Sequence, residues 1–435
     1  MRDRLHEAGR SPRWPVALAG AALLCAVAGA EDWPHWRGPS RNDITSEDSR
    51  WEAGAWPLGD PAWTLNVGRG ASSPIVVGNR VYAMGWADGQ DTVYCLDAAS
   101  GAQVWRRSYP AAQYGRYHEG DENLYDGVLS TPGYDPATGR LYTLGINGDL
   151  NCWDSGNAGE RVWGLNLYDT FDVPKRPLVG GATRDYGYTT SPLVYGDWVV
   201  VEVGDDGGTL MAFDKGTGER RWCSEAAGAA GHTGGIVPMV VEGLPCLAVL
   251  TLHGLLVARV DPGHEGQTLA THPWPTHYGN NVVTPAVEGD TVILTSGHNM
   301  SRMAKLRVAS SGVTELWSIR DISKVCCPVI HNGHVYFAWG KLRCLDFETG
   351  AQQWEGGAFR DDSSCLLTGD GRLIVFGSRT LALAEAADRS PEGYRELAAT
   401  EGIGSAETWP HVVLANGRLY AKDREGNLFC FALRP

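Results

Sequence analysis

The chain has 435 residues, a formal net charge of −14, 43% hydrophobic residues, and many glycines and tryptophans, with 56 and 17 copies. A net acidic chain without a basic stretch is not expected to bind nucleic acid or an anionic lipid surface. So many glycines and tryptophans are typical of a turn-rich all-β fold rather than of an α/β enzyme.

The first 30 residues have the features of an export signal. A basic start is followed by a small-residue and apolar run over 16–29, too short to span a bilayer comfortably, and Ala28-Gly29-Ala30 forms an A-x-A cleavage site. The sequence therefore predicts a signal peptide over 1–30, a periplasmic or secreted location, and no transmembrane span in the mature chain. Cleavage removes four Arg and two acidic residues, which changes the net charge to −16 (−14 − 4 + 2).

Residues 31–60 show neither a strand period nor a helix period and predict an extended N-terminal arm, with Trp33 and Trp36 packed on the body. The stretch 72–105 then contains four short β-branched and aromatic segments separated by Gly, Asn and Asp turns. This pattern predicts an antiparallel meander. Similar units recur to the end of the chain, so 61–435 is predicted to form one ring of stacked repeats.

The repeats predict eight four-stranded blades of a β-propeller, or seven if the degenerate seventh unit is misassigned. The eighth unit contains three strands and stops after Phe429-Cys430-Phe431-Ala432. An isolated strand around Trp63 is expected to supply its fourth strand. Such a clasp closes the ring and removes an open sheet edge.

A turn between the third and fourth strands is the most specific repeated signal. Asp97, Gly101 and Trp105 recur with identical spacing at Asp214, Gly218, Trp222 and at Asp346, Gly350, Trp354, and with one extra residue at Asp154, Gly159, Trp163. The Asp side chain can accept from turn amides, and the Gly can adopt positive φ. Blade-docking tryptophans are accordingly predicted at Trp63, Trp105, Trp163, Trp222, Trp317 and Trp354.

This D-x-x-[ST]-G-x-x-x-W turn resembles the tryptophan-docking motif of propellers of the pyrroloquinoline quinone (PQQ) type. The arm segment Trp33–Ser40, of the form W-P-x-W-R-G-P-S, is similar to the opening of secreted PQQ-binding-like β-propeller repeat proteins. The resemblance covers nearly all of 32–433. It implies the fold, which serves quinoprotein dehydrogenases and also the scaffold lipoprotein of outer-membrane barrel assembly.

The long connections 106–129 and 166–189 lie on the face that also carries the blade-to-blade connections. That face is the default binding surface of a propeller. Aromatic, amide and imidazole groups just before the inner strands are expected to ring the channel mouth and to bind a protein, peptide or glycan. The predicted ligand-binding residues are Tyr186, Tyr188, His232, Asn281, Trp409 and His411.

An alternative is a PQQ- and calcium-dependent alcohol or sugar dehydrogenase. The resemblance implies that the adjacent cysteines Cys326 and Cys327 would then contact the cofactor, although drift of the repeat explains the pair more simply. Asp205-Asp206 could contribute to a Ca²⁺ site but is more typical of a solvated turn. Because no catalytic motif is found, the sequence favours a non-catalytic, monomeric binding or assembly scaffold without a cofactor or metal.

Nine cysteines remain after removal of the leader, and their pairing is left open. Cys95, Cys152, Cys344 and Cys430 occupy equivalent third-strand positions and are expected to be small core residues.

Overall fold

The computed structural model describes residues 30–52, 56, 59–116, 125–174, 185–297, 300–404 and 407–433. The predicted signal peptide, apart from Ala30, lies outside these residues, as do 117–124 and 175–184 of the two long connections. The described residues form eight separate antiparallel sheets. The protein is therefore an eight-bladed β-propeller, as predicted, and the seven-bladed alternative is wrong.

Four sheets make up the first half of the ring after the strand β1, Trp63–Asn66. From the channel outward, blade one contains β2 Ile75–Val77, β3 Arg80–Ala87, β4 Gln90–Asp97 and β5 Gln103–Pro110, and blade two contains β6 Gly133–Asp135, β7 Arg140–Leu144, β8 Asp149–Asp154 and β9 Glu160–Asn166. Blade three contains β10 Leu193–Tyr195, β11 Trp198–Asp205, β12 Gly208–Asp214 and β13 Arg220–Cys223, and blade four contains β14 Val237–Val241, β15 Leu244–Leu250, β16 Gly254–Arg259 and β17 Thr268–Pro273. A short helix, α1 Leu167–Phe171, follows blade two.

The second half of the ring begins after a 3₁₀ turn at His277–Gly279. Its strands are β18 Ala286–Glu288, β19 Thr291–Ser296, β20 Arg302–Ala309 and β21 Gly312–Ile319; β22 Val329–His331, β23 His334–Asp346 and β24 Gln352–Phe359; β25 Ser364–Leu367, β26 Arg372–Gly377, β27 Thr380–Glu385 and β28 Glu396–Glu401; and β29 Val413–Ala415, β30 Arg418–Lys422 and β31 Asn427–Ala432. In blade six the long strand β23 supplies both middle strands of the blade. It doubles back near Gly340, which brings Cys344 Sγ within 3.8 Å of His334 Nδ1.

The ring is closed by the predicted clasp. Strand β1 pairs antiparallel with β31, with Trp63 opposite Cys430 and Asn66 opposite Asn427. Blade eight therefore combines three C-terminal strands with one strand from the start of the propeller. This pairing leaves no gap between the first and last blades.

At four blade junctions the repeated spacing of the docking turn corresponds to one contact between neighbouring blades. The Trp ring of one blade covers the turn glycine of the next blade, and its indole N–H donates to a backbone carbonyl of that same turn. The pairs are Trp63 with Gly101 and Ala98 O, Trp105 with Gly159 and Ser155 O, Trp163 with Gly218 and Lys215 O, and Trp317 with Gly350 and Phe347 O.

Two predicted docking tryptophans face blades that lack the turn. Trp222 precedes blade four and packs edge-on against Trp198, with 5.8 Å between ring centroids. Trp354 precedes blade seven and lies 6.1 Å from the Tyr394 ring. In the described part of the chain, neither indole nitrogen has a hydrogen-bond partner. The docking contact thus depends on the turn of the following blade as much as on the Trp.

The arm does not pack on the outside of the ring but fills its central channel. Between Trp33 and Thr45 it contacts every blade. In blade order, these contacts are Trp33 N to Val76 O at 2.7 Å, Tyr134 N to Pro34 O at 2.9 Å, Arg41 to Val194 O at 3.2 Å, the Trp36 ring over Gly235, Trp36 Nε1 to Thr284 Oγ1 at 2.9 Å, Arg37 to Pro328 O at 2.7 Å, Thr45 N to Leu367 O at 3.0 Å, and His411 Nδ1 to Asp43 Oδ1 at 3.1 Å. We call this segment, 33–45, the channel plug.

Blade one buries a carboxyl group that has no ion-pair partner among the described residues. Asp91 is fully buried, the Tyr109 hydroxyl approaches its carboxylate, and neither oxygen accepts a hydrogen bond of good geometry from the described part of the chain. Its side chain faces Gly145 of blade two, where a Cβ would come within 2.7 Å of Oδ2. Burial, followed by the charge of Asp149, raises the pKa of Asp91 to about 7.

We expect Asp91→Asn to stabilise the protein at neutral pH. The raised pKa means that wild-type Asp91 costs stability above its unfolded pKa of about 4, and this cost grows until the pH reaches the folded value. The variant should equal the wild type near pH 4 and exceed it by about 1–4 kcal/mol at pH 7. Denaturant unfolding followed by circular dichroism at both pH values measures this, with exposed Asp88→Asn as control. A less stable variant at pH 7 would contradict it.

Candidate functional site

A cavity of about 520 Å³ opens at one end of the channel, above the plug. Residues from the connection before each of the eight blades contribute to its wall. Those connections supply Ala71, Leu129, Tyr186, Thr189, His232, Gly234, Asn280, Val282, Lys324, Val325, Arg360, Asp361, Asp362, Glu407 and Trp409, joined by Tyr125, Trp339 and Trp36. The site is therefore built by the whole ring rather than by one blade.

Aromatic rings form a continuous part of this wall. Tyr125 stands between Tyr186 and Trp409, with ring centroids 4.4 and 5.4 Å away. Tyr186 in turn lies 4.9 Å from the His232 ring. Because neighbouring rings hold one another in place, these faces are preorganised for a flat or apolar ligand surface.

Charged groups occupy the wall beside blades six to eight. Lys324 Nζ lies 4.8 Å above the Trp339 ring. Arg424, behind the wall, packs its guanidinium 4.2 Å from the Trp409 ring and is ion-paired with Asp126 and Glu407. This arrangement fixes Trp409 between a cation and Tyr125 and gives the cavity both aromatic and ionic character.

The plug forms the floor of the cavity. Trp36 lines the cavity and packs at a tilt against the His411 ring, with ring centroids 4.3 Å apart. Below it Asp43 is paired with both His411 and Arg37, and all three side chains are almost fully buried, with exposed fractions of 0%, 2% and 1%. Burial alone would lower the pKa of His411, but the Asp43 carboxylate raises it well above its usual value. The floor is thus held by a buried ionic triad, Arg37–Asp43–His411.

Three of the six predicted ligand-binding residues line the cavity, namely Tyr186, His232 and Trp409. The other three are buried beneath or beside it. Tyr188 donates from its hydroxyl to Val203 O at 2.8 Å, and Asn281 Nδ2 donates to Thr251 O at 2.8 Å. His411 belongs to the ionic triad. These three residues support the wall of the cavity, and only the first three face a ligand placed inside it.

Sequence reasoning missed Trp36, Tyr125, Trp339 and Arg360. Trp339 comes from the hairpin tip of blade six, where an aromatic residue next to Gly340 was a visible signal. Arg360 follows the outer strand of blade six and enters the cavity before blade seven. Trp36 could not be placed from sequence, because an arm without a structural period carries no information about its course.

Cys326 and Cys327 do not fit the cofactor role that the resemblance implied. Both side chains are buried and neither lines the cavity, which is bounded at this point by Lys324 and Val325. Both thiols are free. Because the pair is buried and outside the cavity lining, it does not present a surface on which PQQ in the cavity could stack.

The described residues also contain no group of three or more His, Cys, Asp or Glu side chains arranged to hold a metal ion. Of the cavity acids, Asp362 Oδ2 accepts from Thr408 N at 3.0 Å and Glu407 is paired with Arg424. Asp205, at the end of β11, lies outside the cavity lining. Asp361 is the third acid of the cavity. The described residues thus show no cluster of carboxylates that would hold the calcium ion of the dehydrogenase alternative.

Eight four-stranded blades, interblade Trp docking and a closing clasp define a propeller of PQQ-type repeats. The family model described as outer membrane protein assembly factor BamB matches residues 50–141 and 91–356. The chain therefore belongs to this family of BamB-like repeat propellers.

Solved structures show the same fold at low sequence identity. BamB from Moraxella catarrhalis is 14% identical over 86% of this chain and 99% of its own, with a TM-score of 0.56. Quinohemoprotein alcohol dehydrogenase from Comamonas testosteroni is 14% identical over 94% of this chain and 81% of its own, with a TM-score of 0.64. The computationally designed Ika8 protein is 11% identical over 86% and 100%, with a TM-score of 0.57.

A comparison with curated proteins gave no match. Among the residues that the structure describes, no helix has the length and apolar character needed to cross a membrane.

Proposed function

We propose that the protein is a non-catalytic scaffold of the bacterial cell envelope, exported to the periplasm or secreted. Its cavity at the channel mouth binds a segment of a protein, peptide or glycan partner. Membership of the BamB-like family and the predicted signal peptide support the location. The similarity to a dehydrogenase extends to the fold alone and does not carry its activity over.

The observation that carries the proposal is the aromatic wall of the cavity. Five Trp and Tyr side chains meet at one opening, namely Trp36, Tyr125, Tyr186, Trp339 and Trp409. Rigid aromatic residues in a concave site supply contact area at low entropic cost, and such residues dominate binding energy in recognition sites. Two of the acids beside them have structural partners, because Glu407 pairs with Arg424 and Asp362 accepts from Thr408 N. These features favour a recognition site.

The proposal predicts that photo-crosslinking from the cavity captures a specific partner. A photoreactive phenylalanine analogue replaces half-buried Trp339 in full-length protein produced in its bacterial host, and the matched control replaces exposed Val104 on the outer strand of blade one. We expect a discrete crosslinked product from position 339 that is absent from position 104. Equal patterns from the two positions would contradict binding at the cavity.

A second variant measures the contribution of the aromatic wall. We expect Trp409→Ala to weaken binding of the captured partner by about 30-fold or more, because a central aromatic anchor is worth about 2 kcal/mol or more. Trp222→Ala, which lies away from the cavity, should bind normally. Saturable, calcium-dependent quenching of the wild-type tryptophan fluorescence by added PQQ would instead favour the dehydrogenase.

A further inference from the structure

Two cysteines from neighbouring blades meet behind the cavity wall. Cys326 lies in the connection that enters blade six, and Cys365 lies in β25, the inner strand of blade seven. Their sulfur atoms are 3.6 Å apart, and both side chains are buried. All nine cysteines of the described residues are free thiols, and Cys95, Cys152, Cys344 and Cys430 are buried at their third-strand core positions.

The surroundings of this pair favour thiolate chemistry at one of the two sulfurs. The backbone N–H of Ala338 donates to Cys326 Sγ at 3.3 Å. Burial alone would raise the pKa of Cys326, but the Cys365 thiol, His411 and the Ala338 amide together lower it. The hydrogen bond to Cys326, together with burial, raises the pKa of Cys365 well above its usual value. In the folded protein Cys326 is therefore the more acidic thiol of the pair.

The pair also sits at a junction that lacks the usual docking contact. Trp354 of blade six faces blade seven, which has no Asp–Gly turn, and its indole nitrogen has no hydrogen-bond partner in the described residues. Trp317, one junction earlier, has both a turn glycine and a carbonyl partner. A covalent bond at the Cys326–Cys365 contact would thus join two blades whose docking is otherwise incomplete.

We propose that Cys326 and Cys365 are an oxidative modification site that forms a disulfide between blades six and seven. Cys326 directly follows the cavity-lining segment Lys324–Val325, and Cys365 lies three residues after the cavity-lining segment Arg360–Asp362. The bond would therefore tie together two neighbouring parts of the cavity wall. It would not depend on which ligand the cavity binds.

The reaction needs a disulfide oxidant, such as glutathione disulfide or a protein disulfide of the envelope. The Cys326 thiolate attacks one sulfur of the oxidant, forms a mixed disulfide and releases one thiolate. Cys365 then gives up its proton and attacks Cys326 Sγ, which closes the protein disulfide and releases the second thiolate. Two protein thiols are oxidised, one disulfide is reduced to two thiols, and the two protons pass to the departing sulfurs.

Because the folded protein buries both sulfurs, the experiment refolds mature protein from denaturant in a glutathione redox buffer and, in parallel, in a reducing buffer. After alkylation, mass spectrometry should show two fewer alkylated cysteines in the oxidised sample, and proteolysis should give one crosslinked peptide pair containing Cys326 and Cys365. The melting temperature should rise by roughly 3–8 °C relative to the reduced protein.

Two variants control the assignment. Cys365→Ala should abolish the crosslinked peptide and the rise in melting temperature, whereas Cys327→Ala should preserve both. Nine alkylated cysteines in oxidised wild-type protein, or a bond between Cys326 and Cys327, would overturn the proposal. This thiol count is made on the wild type, so it stands even if a variant fails to fold.

Discussion

Asp43→Asn is expected to lower the free energy of unfolding by about 3–5 kcal/mol, the usual cost of removing one partner from a buried ion pair. Asp43 is fully buried and is the acceptor for both Arg37 Nε and His411 Nδ1. Its replacement leaves the Arg37 guanidinium buried without a counter-charge and removes the carboxylate that favours the charged form of His411. Denaturant unfolding followed by circular dichroism at pH 6 measures the loss.

The loss of unfolding free energy in Asp43→Asn should depend on pH. In the wild type the raised pKa of His411 gives stability that is fully present below its unfolded pKa and is lost as the pH rises through the folded value. In the variant the carboxylate is missing, so His411 is expected to fold in its neutral form. The deficit should therefore grow as the pH falls from 7 to 5, by up to about 1.4 kcal/mol per pH unit.

Below about pH 4 the deficit should stop growing. Burial alone would raise the pKa of Asp43, but Arg37 and His411 lower it, so wild-type stability from this group is lost only at strongly acidic pH. Glu52→Gln, an exposed change just beyond the plug, is the charge-matched control and should have little effect. A deficit that does not vary between pH 5 and 7 would show that the triad is not charged as described.

Gly159→Ala is expected to destabilise the protein by about 2–5 kcal/mol. Gly159 has a φ of 70°, and an added Cβ would lie 2.6 Å from the Trp105 ring that covers it. The change therefore combines left-handed backbone strain with displacement of a docking tryptophan. Unfolding curves give the cost, and a red shift of tryptophan emission should accompany it as Trp105 loses its buried position.

Gly333→Ala separates the two contributions. Gly333 has a similar φ of 77°, but an added Cβ would meet nothing within 4 Å. This control should cost only about 1–2 kcal/mol from backbone strain. Equal losses for Gly159→Ala and Gly333→Ala would mean that Trp docking contributes little to the interface between blades.

Much of the fold was predictable because it depends on short-range signals. The turn Asp97–Gly101 is specified within five residues: Asp97 Oδ1 accepts from the backbone N–H groups of Ala99 and Ser100, and Gly101 takes positive φ. The clasp was predictable because the eighth repeat unit lacks its fourth strand and an extra strand occurs around Trp63 at the start of the propeller. Blade seven lacks the turn and still forms four paired strands, because apolar strand residues specify the pairing without it.

The route of the plug was not predictable, because its contacts join residues that are far apart in the chain. Arg37, for example, reaches Pro328 O, 291 residues away. The same limit applies to the cavity. Repeat position places Tyr186, His232 and Trp409 at the mouth, but it does not give the direction of a side chain in an irregular connection. The sequence therefore predicted Tyr188, Asn281 and His411 correctly near the channel mouth, but their side chains point into the protein and not into the cavity.

The plug also has a consequence for biogenesis. Residues 33–45 leave the ribosome before any blade exists, yet their binding site includes His411 of the last blade. The plug is therefore synthesised first but is among the last segments to reach its native contacts. Until the eighth blade is complete, Trp33 and Trp36 have no finished channel to enter, and the growing chain carries an exposed aromatic segment throughout translation. Native structure is reached only when the beginning of the polypeptide is threaded into the ring that its own end completes.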